Sequence, residues 1–147
     1  MPRGLTEAEK FNIRYPNPKK IDNMPDKLRW YRYNKSLHQS QVAEYAGIDR
    51  TTYISYENGS VAFYPLDILS RIAELFEIDI KLLLDDYHRF LYDGQGQQVK
   101  ALRKSMRLTQ DEFATVMNVC DTTVRRWEKE YMRVMPDIWK QLCKMSG

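Results

Sequence analysis

With 147 residues and 43% apolar content, the chain is sized for one domain or two small ones, each near the lower limit for an independent core. No apolar run nears the roughly 18 residues of a membrane span, the N-terminal stretch lacks the apolar core of a secretory signal, and Cys120 and Cys143 stand alone, so a cytoplasmic protein with reduced thiols is expected. The net charge of +3 divides into +2 for residues 1–25, −3 for 26–93 and +4 for 94–147, a small excess toward a polyanionic partner.

Residues 1–25 are punctuated by Pro2, Pro16, Pro18 and Pro25 and read as an extended basic arm with one short helix near 5–13. Either a DNA groove or the surface of the following domain could receive it. Leu28, Tyr31 and Leu37 then give a first helix its apolar face. Trp30 and Tyr33 flank that face and read as a cover over a small hydrophobic centre, not as a stacking platform for single strands. Val42, Ala43 and Ala46 point inward from a second helix that stops at Gly47, a residue that adopts the left-handed conformation at little cost. Asp49 is expected to cap a third helix with Tyr53 and Tyr56 inside, ended by Asn58-Gly59. Pro65 opens a fourth, burying Leu69, Ile72, Ala73 and Phe76. Asp79 is expected to cap a fifth, which holds Leu83, Leu84, Tyr87 and Leu91 and carries His88 as a surface or interface imidazole.

Asp93-Gly94-Gln95-Gly96 is the glycine-rich break, and it sets the expected domains at 26–93 and 94–147. Beyond it the pattern restarts. Val99, Leu102 and Leu108 face inward on a first helix, and Thr109 with Glu112 forms a capping box for a second, which buries Phe113, Ala114 and Met117. Asn118 stands where Gly47 stood, a third helix from Asp121 to Lys129 buries Val124 and Trp127, and Pro136 opens the last. Seven residues recur at an offset of 71: Arg32, Leu37, Gln39, Ala43, Thr51, Thr52 and Glu57 return as Arg103, Leu108, Gln110, Ala114, Thr122, Thr123 and Glu128. Unrelated sequences of ordinary composition would match at about one or two positions in this window. One helical unit is therefore present twice, and the second copy lacks the fifth helix.

A short helix, a tight turn and a second helix with polar exposed positions make a helix-turn-helix. The stretches LHQSQVAEYAGIDRTTYISYENG (37–59) and LTQDEFATVMNVCDTTVRRWEKE (108–130) resemble the Cro and phage-repressor class of helix-turn-helix proteins, also called XRE-like. The resemblance implies an all-α protein built of two lambda-repressor-like domains and a regulator that binds double-stranded DNA. It places Gln39 and Gln110 against the DNA backbone and makes the third helix of each unit the reading element. The base-reading candidates are then Arg50, Thr51 and Ser55 in the first unit, and Asp121, Thr122 and Arg126 in the second, with Thr52, Thr123 and Arg125 as further DNA-binding candidates. Asn58 and Lys129 are placed for phosphate contacts. Arg32 with Glu57, and Arg103 with Glu128, are implied as partly buried ion pairs that orient the reading helix.

Three residues depart from the resemblance. His38 replaces the Ser or Thr that caps the second helix, Glu130 replaces the glycine found at Gly59, and Asp121 puts a carboxylate at the leading reading position, where it could instead cap the helix. No nucleophile–base set, phosphate-cradling loop or metal cluster emerges, so neither an enzyme nor a metal or cofactor is expected. Two unlike reading helices in one chain predict two unlike half-sites, with centres about 34 Å apart if both dock on one DNA face. A homodimer would pair through helix five and the second domain. The alternative is a protein-interaction module on the same scaffold, such as an antitoxin or anti-repressor.

Overall fold

The computed structural model describes residues 4–147, and Pro2 of the predicted arm lies outside them. Among the described residues there are ten α-helices, two short 3-10 turns and no strand. The chain divides into two compact units between Asp85 and Asp86.

The first unit holds α1 (Glu7–Arg14), α2 (Met24–Asn34), α3 (Gln39–Ala46), α4 (Arg50–Asn58) and α5 (Leu66–Phe76), with 3-10 turns at Pro18–Lys20 and Ile80–Leu82. The apolar periodicity places Leu28, Val42, Ala46, Tyr53, Leu69, Ile72 and Phe76 in one core, each less than 2% exposed. Gly47 and Gly59 end α3 and α4 in the left-handed conformation, with φ of 76° and 74°. Asp49 stands at the cap of α4, yet its side chain makes no capping bond. The arm is a strap on α2. A Thr6–Glu9 capping box starts α1, the Trp30 indole N–H donates to the Tyr15 carbonyl at 2.8 Å, and Phe11 meets Tyr33 edge-on at 5.5 Å. Ile21 is buried below them. Trp30 and Tyr33 are thus half-buried against the arm, while Tyr31 packs on the core.

The second unit holds α6 (Asp86–Tyr92), α7 (Gln95–Ser105), α8 (Gln110–Met117), α9 (Asp121–Glu128) and α10 (Pro136–Ser146). Its core is Phe90, Val99, Phe113, Ala114, Met117, Val124, Trp127, Val134 and Leu142. Here the structure corrects the predicted boundary. The fifth helix expected for the first unit breaks at Asp85, and its second half, α6, packs into the second core instead. Phe90 joins that core, and the Tyr87 hydroxyl donates to the Val134 carbonyl at 2.6 Å. His88 is buried, not a surface residue. α6 supplies from the N-terminal side what the first unit takes from Ile80, Leu83 and Leu84. One repeat position reports the exchange. Lys27 on α2 donates to the Leu84 carbonyl, and its equivalent Gln98 on α7 donates to the Phe90 carbonyl.

The repeat extends to backbone conformation and then diverges in side chains. Left-handed residues recur at Ser36 and Arg107, Gly47 and Asn118, and Gly59 and Glu130. The carbonyls of Tyr56 near the end of α4 and Trp127 near the end of α9 each need a donor. The Tyr64 hydroxyl serves Tyr56, whereas Gln95 serves Trp127 at 3.1 Å and also binds Met132 and Val134. Where α2 crosses the end of α4, Pro25 faces Gly59, and where α7 crosses the end of α9, Gly96 faces Glu130. The small residue has changed sides. A Cβ at Gly96 would fall 2.2 Å from the Glu128 carbonyl oxygen, which is backbone and cannot step aside. Gly96→Ala is therefore expected to destabilise the second unit by about 3 kcal/mol, the upper range for overpacking. Urea unfolding followed by Trp127 and Trp139 fluorescence measures it, and an unchanged midpoint would refute this close crossing.

Candidate nucleic-acid interface

The two predicted ion pairs are present, with nearly the same geometry. Arg32 meets Glu57 through Nε–Oε2 at 2.6 Å and Nη2–Oε1 at 2.9 Å, and Arg103 meets Glu128 through the same atoms at 2.8 and 3.0 Å. The remaining guanidinium nitrogen donates to the carbonyl of Leu37 or Leu108, in each case at 3.0 Å. Gln39 and Gln110 complete the arrangement, each donating its amide to the glutamate at 3.2 Å. Both side chains of each pair are at most 11% exposed. Each clamp therefore ties the first helix of its motif, the start of the second, the loop between them and the end of α4 or α9 to one carboxylate.

Electrostatics follow from that geometry. Burial opposes the charge on Arg32, but the hydrogen bonds and charge of Glu57 outweigh it and raise the guanidinium pKa. The hydrogen bond from Glu128, against some burial, does the same for Arg103. Burial would raise the Glu128 carboxyl, yet the bonds from Arg103 and Gln110 hold it below the ordinary carboxylate value. In the first unit the Arg32 guanidinium also lies 4.6 Å over the Tyr33 ring. Burial and then the Glu57 carboxylate push the Tyr53 hydroxyl well above the usual tyrosine range.

Around these clamps the predicted contact residues fall into distinct classes. Arg50, Thr51 and Asn58 on α4 are exposed, and Thr52 and Ser55 are half-buried. The Ser55 hydroxyl is committed to the Thr52 carbonyl, and the Asn58 side-chain oxygen accepts from the Ser60 amide. On α9, Asp121, Thr122, Arg125 and Arg126 are exposed, as is Lys129 just past it, while Thr123 is half-buried. Asp121 is the first helical residue, and Cys120 holds the cap position without a side-chain capping bond. The Asp121 carboxylate instead pairs with Arg125 at 2.7 Å. Gln39 and Gln110 sit at helix starts as expected, with their amide groups directed inward to the glutamates.

A polar notch of about 440 Å³ opens beside the first clamp, lined by Arg32, Tyr33, His38, Gln39, Ser40 and Arg50. Tyr33, His38 and Ser40 were not among the predicted site residues. Only their positions flanking Gln39 and Arg32 could have suggested them. His38 also keeps half of the capping box that its identity seemed to remove, since its backbone N–H donates to Gln41 Oε1 at 2.7 Å. Thr109 keeps both halves with Glu112. At the repeat positions of Tyr33, Ser40 and Arg50 the second unit carries Lys104, Asp111 and Asp121, so two carboxylates and a lysine stand where the first unit has one arginine.

Comparison with known proteins bears on the same segments. Residues 26–89 match a family described as a helix-turn-helix domain, and residues 99–145 match one described as helix-turn-helix. The first match runs four residues past the unit boundary, into α6. The chain is also similar to the HTH-type transcriptional regulator SinR of Bacillus subtilis (strain 168), with 28% identity over 82 residues that span 54% of this chain and 74% of that protein. No solved structure matches significantly.

The depressed Glu128 pKa has a consequence for stability. A carboxylate whose pKa is lower folded than unfolded contributes fully above the unfolded value, about 4.5 here, and loses that contribution as pH falls through the folded value. The second unit should thus weaken progressively below about pH 4.5, and Glu128→Gln should flatten that part of the profile. The same substitution should cost about 3 kcal/mol at neutral pH, because it strands the Arg103 charge. Thermal melts across the acid range test both expectations, and an unchanged acid slope in the variant would refute the assignment.

Proposed function

The chain belongs to the XRE-type helix-turn-helix family, with two such domains in tandem, and on that premise we propose that it is a sequence-specific DNA-binding transcriptional regulator, a repressor, that uses α4 and α9 as separate major-groove readers. The observation that carries this reading is the duplicated clamp. Two unlike reading helices are held by the same four-point arrangement, while their outward residues are left to differ.

In this mechanism phosphate contacts supply affinity and orientation, and base contacts supply sequence. The notch beside Arg50 receives a backbone phosphate at the start of α3, where the first-turn N–H groups and the positive helix end favour an anion. Gln39 and Gln110 support this contact from the inside, through Glu57 and Glu128. Arg50 and Arg126 are exposed, and each can take guanine O6 and N7 together, whereas Thr51 and Thr122 can donate, accept or meet a thymine methyl. Asn58 and Lys129 hold phosphates past the helix ends. Binding by an uneven pair of readers produces an asymmetric, two-part operator. The relative named SinR is a transcriptional regulator by its name, which agrees with this reading.

Capture from sheared genomic DNA at two salt concentrations, followed by sequencing, tests it directly. Enrichment of one asymmetric two-part site is the expected result. Arg50→Ala and Arg126→Ala should each relax a different half of that site by about 1–3 kcal/mol of discrimination. A palindromic single half-site would mean that only one unit reads DNA. Absence of enrichment at both salts would overturn the regulator reading and favour a protein-interaction module.

A further inference from the structure

The two reading helices carry opposite charge on their first turn. Arg50 opens α4, and its repeat equivalent Asp121 opens α9. The next residue on the same face, four positions on, is Ile54 in the first unit and Arg125 in the second. Asp121 Oδ2 and Arg125 Nη2 are 2.7 Å apart, and both side chains are about half exposed. Arg126, beside them, makes no ion pair among the described residues. A carboxylate on a surface meant for a polyanion repels every phosphate it approaches and cancels one adjacent cation. Its compensation in a major groove is specific: it accepts from the amino group of cytosine N4 or adenine N6. An exposed pair of this spacing contributes little to folding, so stability alone gives a weak reason for it.

We propose that Asp121 is a specificity-determining residue of the second unit. With one oxygen it holds Arg125 in a fixed orientation for a guanine edge. With the other it lowers affinity for every sequence except those presenting a base amino group at that step. The second unit is then the more stringent of the two readers, and the first, with Arg50 and its notch, binds with a smaller penalty for a wrong sequence. This rests on the DNA-reading role proposed above for α9.

The test uses the full chain, a randomised duplex library and bulk sheared DNA as the non-specific probe, with wild type, Asp121→Asn and Asp121→Glu. Asp121→Asn should bind bulk DNA several-fold more tightly and steepen the salt dependence by about one ion, because Arg125 is released to a phosphate. Its preference for the selected site over bulk DNA should fall by about tenfold, with the loss confined to adjacent base pairs in one half-site. Asp121→Glu keeps the charge and should retain the low bulk affinity. An unchanged ratio and unchanged base preference in Asp121→Asn would overturn the proposal, as would a rise in bulk affinity with the base preference intact. If wild type selects no site from the library, the DNA-reading proposal itself fails and this one with it. A wild-type site that the variant reads identically fails this one alone.

Discussion

Each unit is organised around a single buried carboxylate. Glu57 or Glu128 receives two nitrogens from an arginine on the first helix and an amide from a glutamine on the second, while the third arginine nitrogen binds the intervening loop. Charges this deep are costly to desolvate, so the arrangement is favourable only when every partner is in place. That condition makes it a positional lock more than a source of stability. The helix that carries the glutamate, α4 or α9, cannot rotate or slide without stranding an ion, and its outward face is therefore presented in one orientation. Small cores need such a device, because packing of a few aliphatic side chains tolerates several near-equivalent arrangements.

Duplication separates what the fold demands from what it permits. The clamp and the left-handed positions are kept in both copies. The donor for the Tyr56 or Trp127 carbonyl, the side of the crossing that carries the small residue, and the cover over the first and fourth helices have all been exchanged. In each case the physical requirement is constant and the residue that meets it is not. A buried carbonyl needs a donor, and a close crossing needs one partner without a bulky side chain. The notch beside the clamp is lined by first-unit residues, and the repeat positions of Tyr33, Ser40 and Arg50 carry Lys104, Asp111 and Asp121 instead.

Much of this was legible without coordinates. Periodicity located the helices, the capping box and the glycine stops located their ends, and the family resemblance implied the pairing of Arg32 with Glu57 and of Arg103 with Glu128. The helices and their ends are local patterns, in which the sequence distance itself carries the information. The failures were of another kind. The Gly94–Gly96 break reads as a boundary by composition, yet the boundary lies at Asp85, because the apolar face of α6 matches the second core better than the first. Gln95 was read only as part of that break and His88 as a surface or interface imidazole, and both are buried. Nothing in their immediate sequence context indicates the carbonyls or rings that surround them.

The sequence by itself determined the all-helical character and the tandem repeat, because each follows from residue type and spacing along one helix or between two copies of it, while the family resemblance it carries implied the two arginine–glutamate pairs. Only the tertiary structure decided which core α6 completes, which groups satisfy the buried carbonyls, where Gly96 permits a backbone crossing, and that Asp121 pairs with Arg125. The physical reason is common to all four. They depend on which surfaces meet in space, and side chains compete for those places on shape, burial and hydrogen-bonding need, none of which is encoded at a fixed distance along the chain.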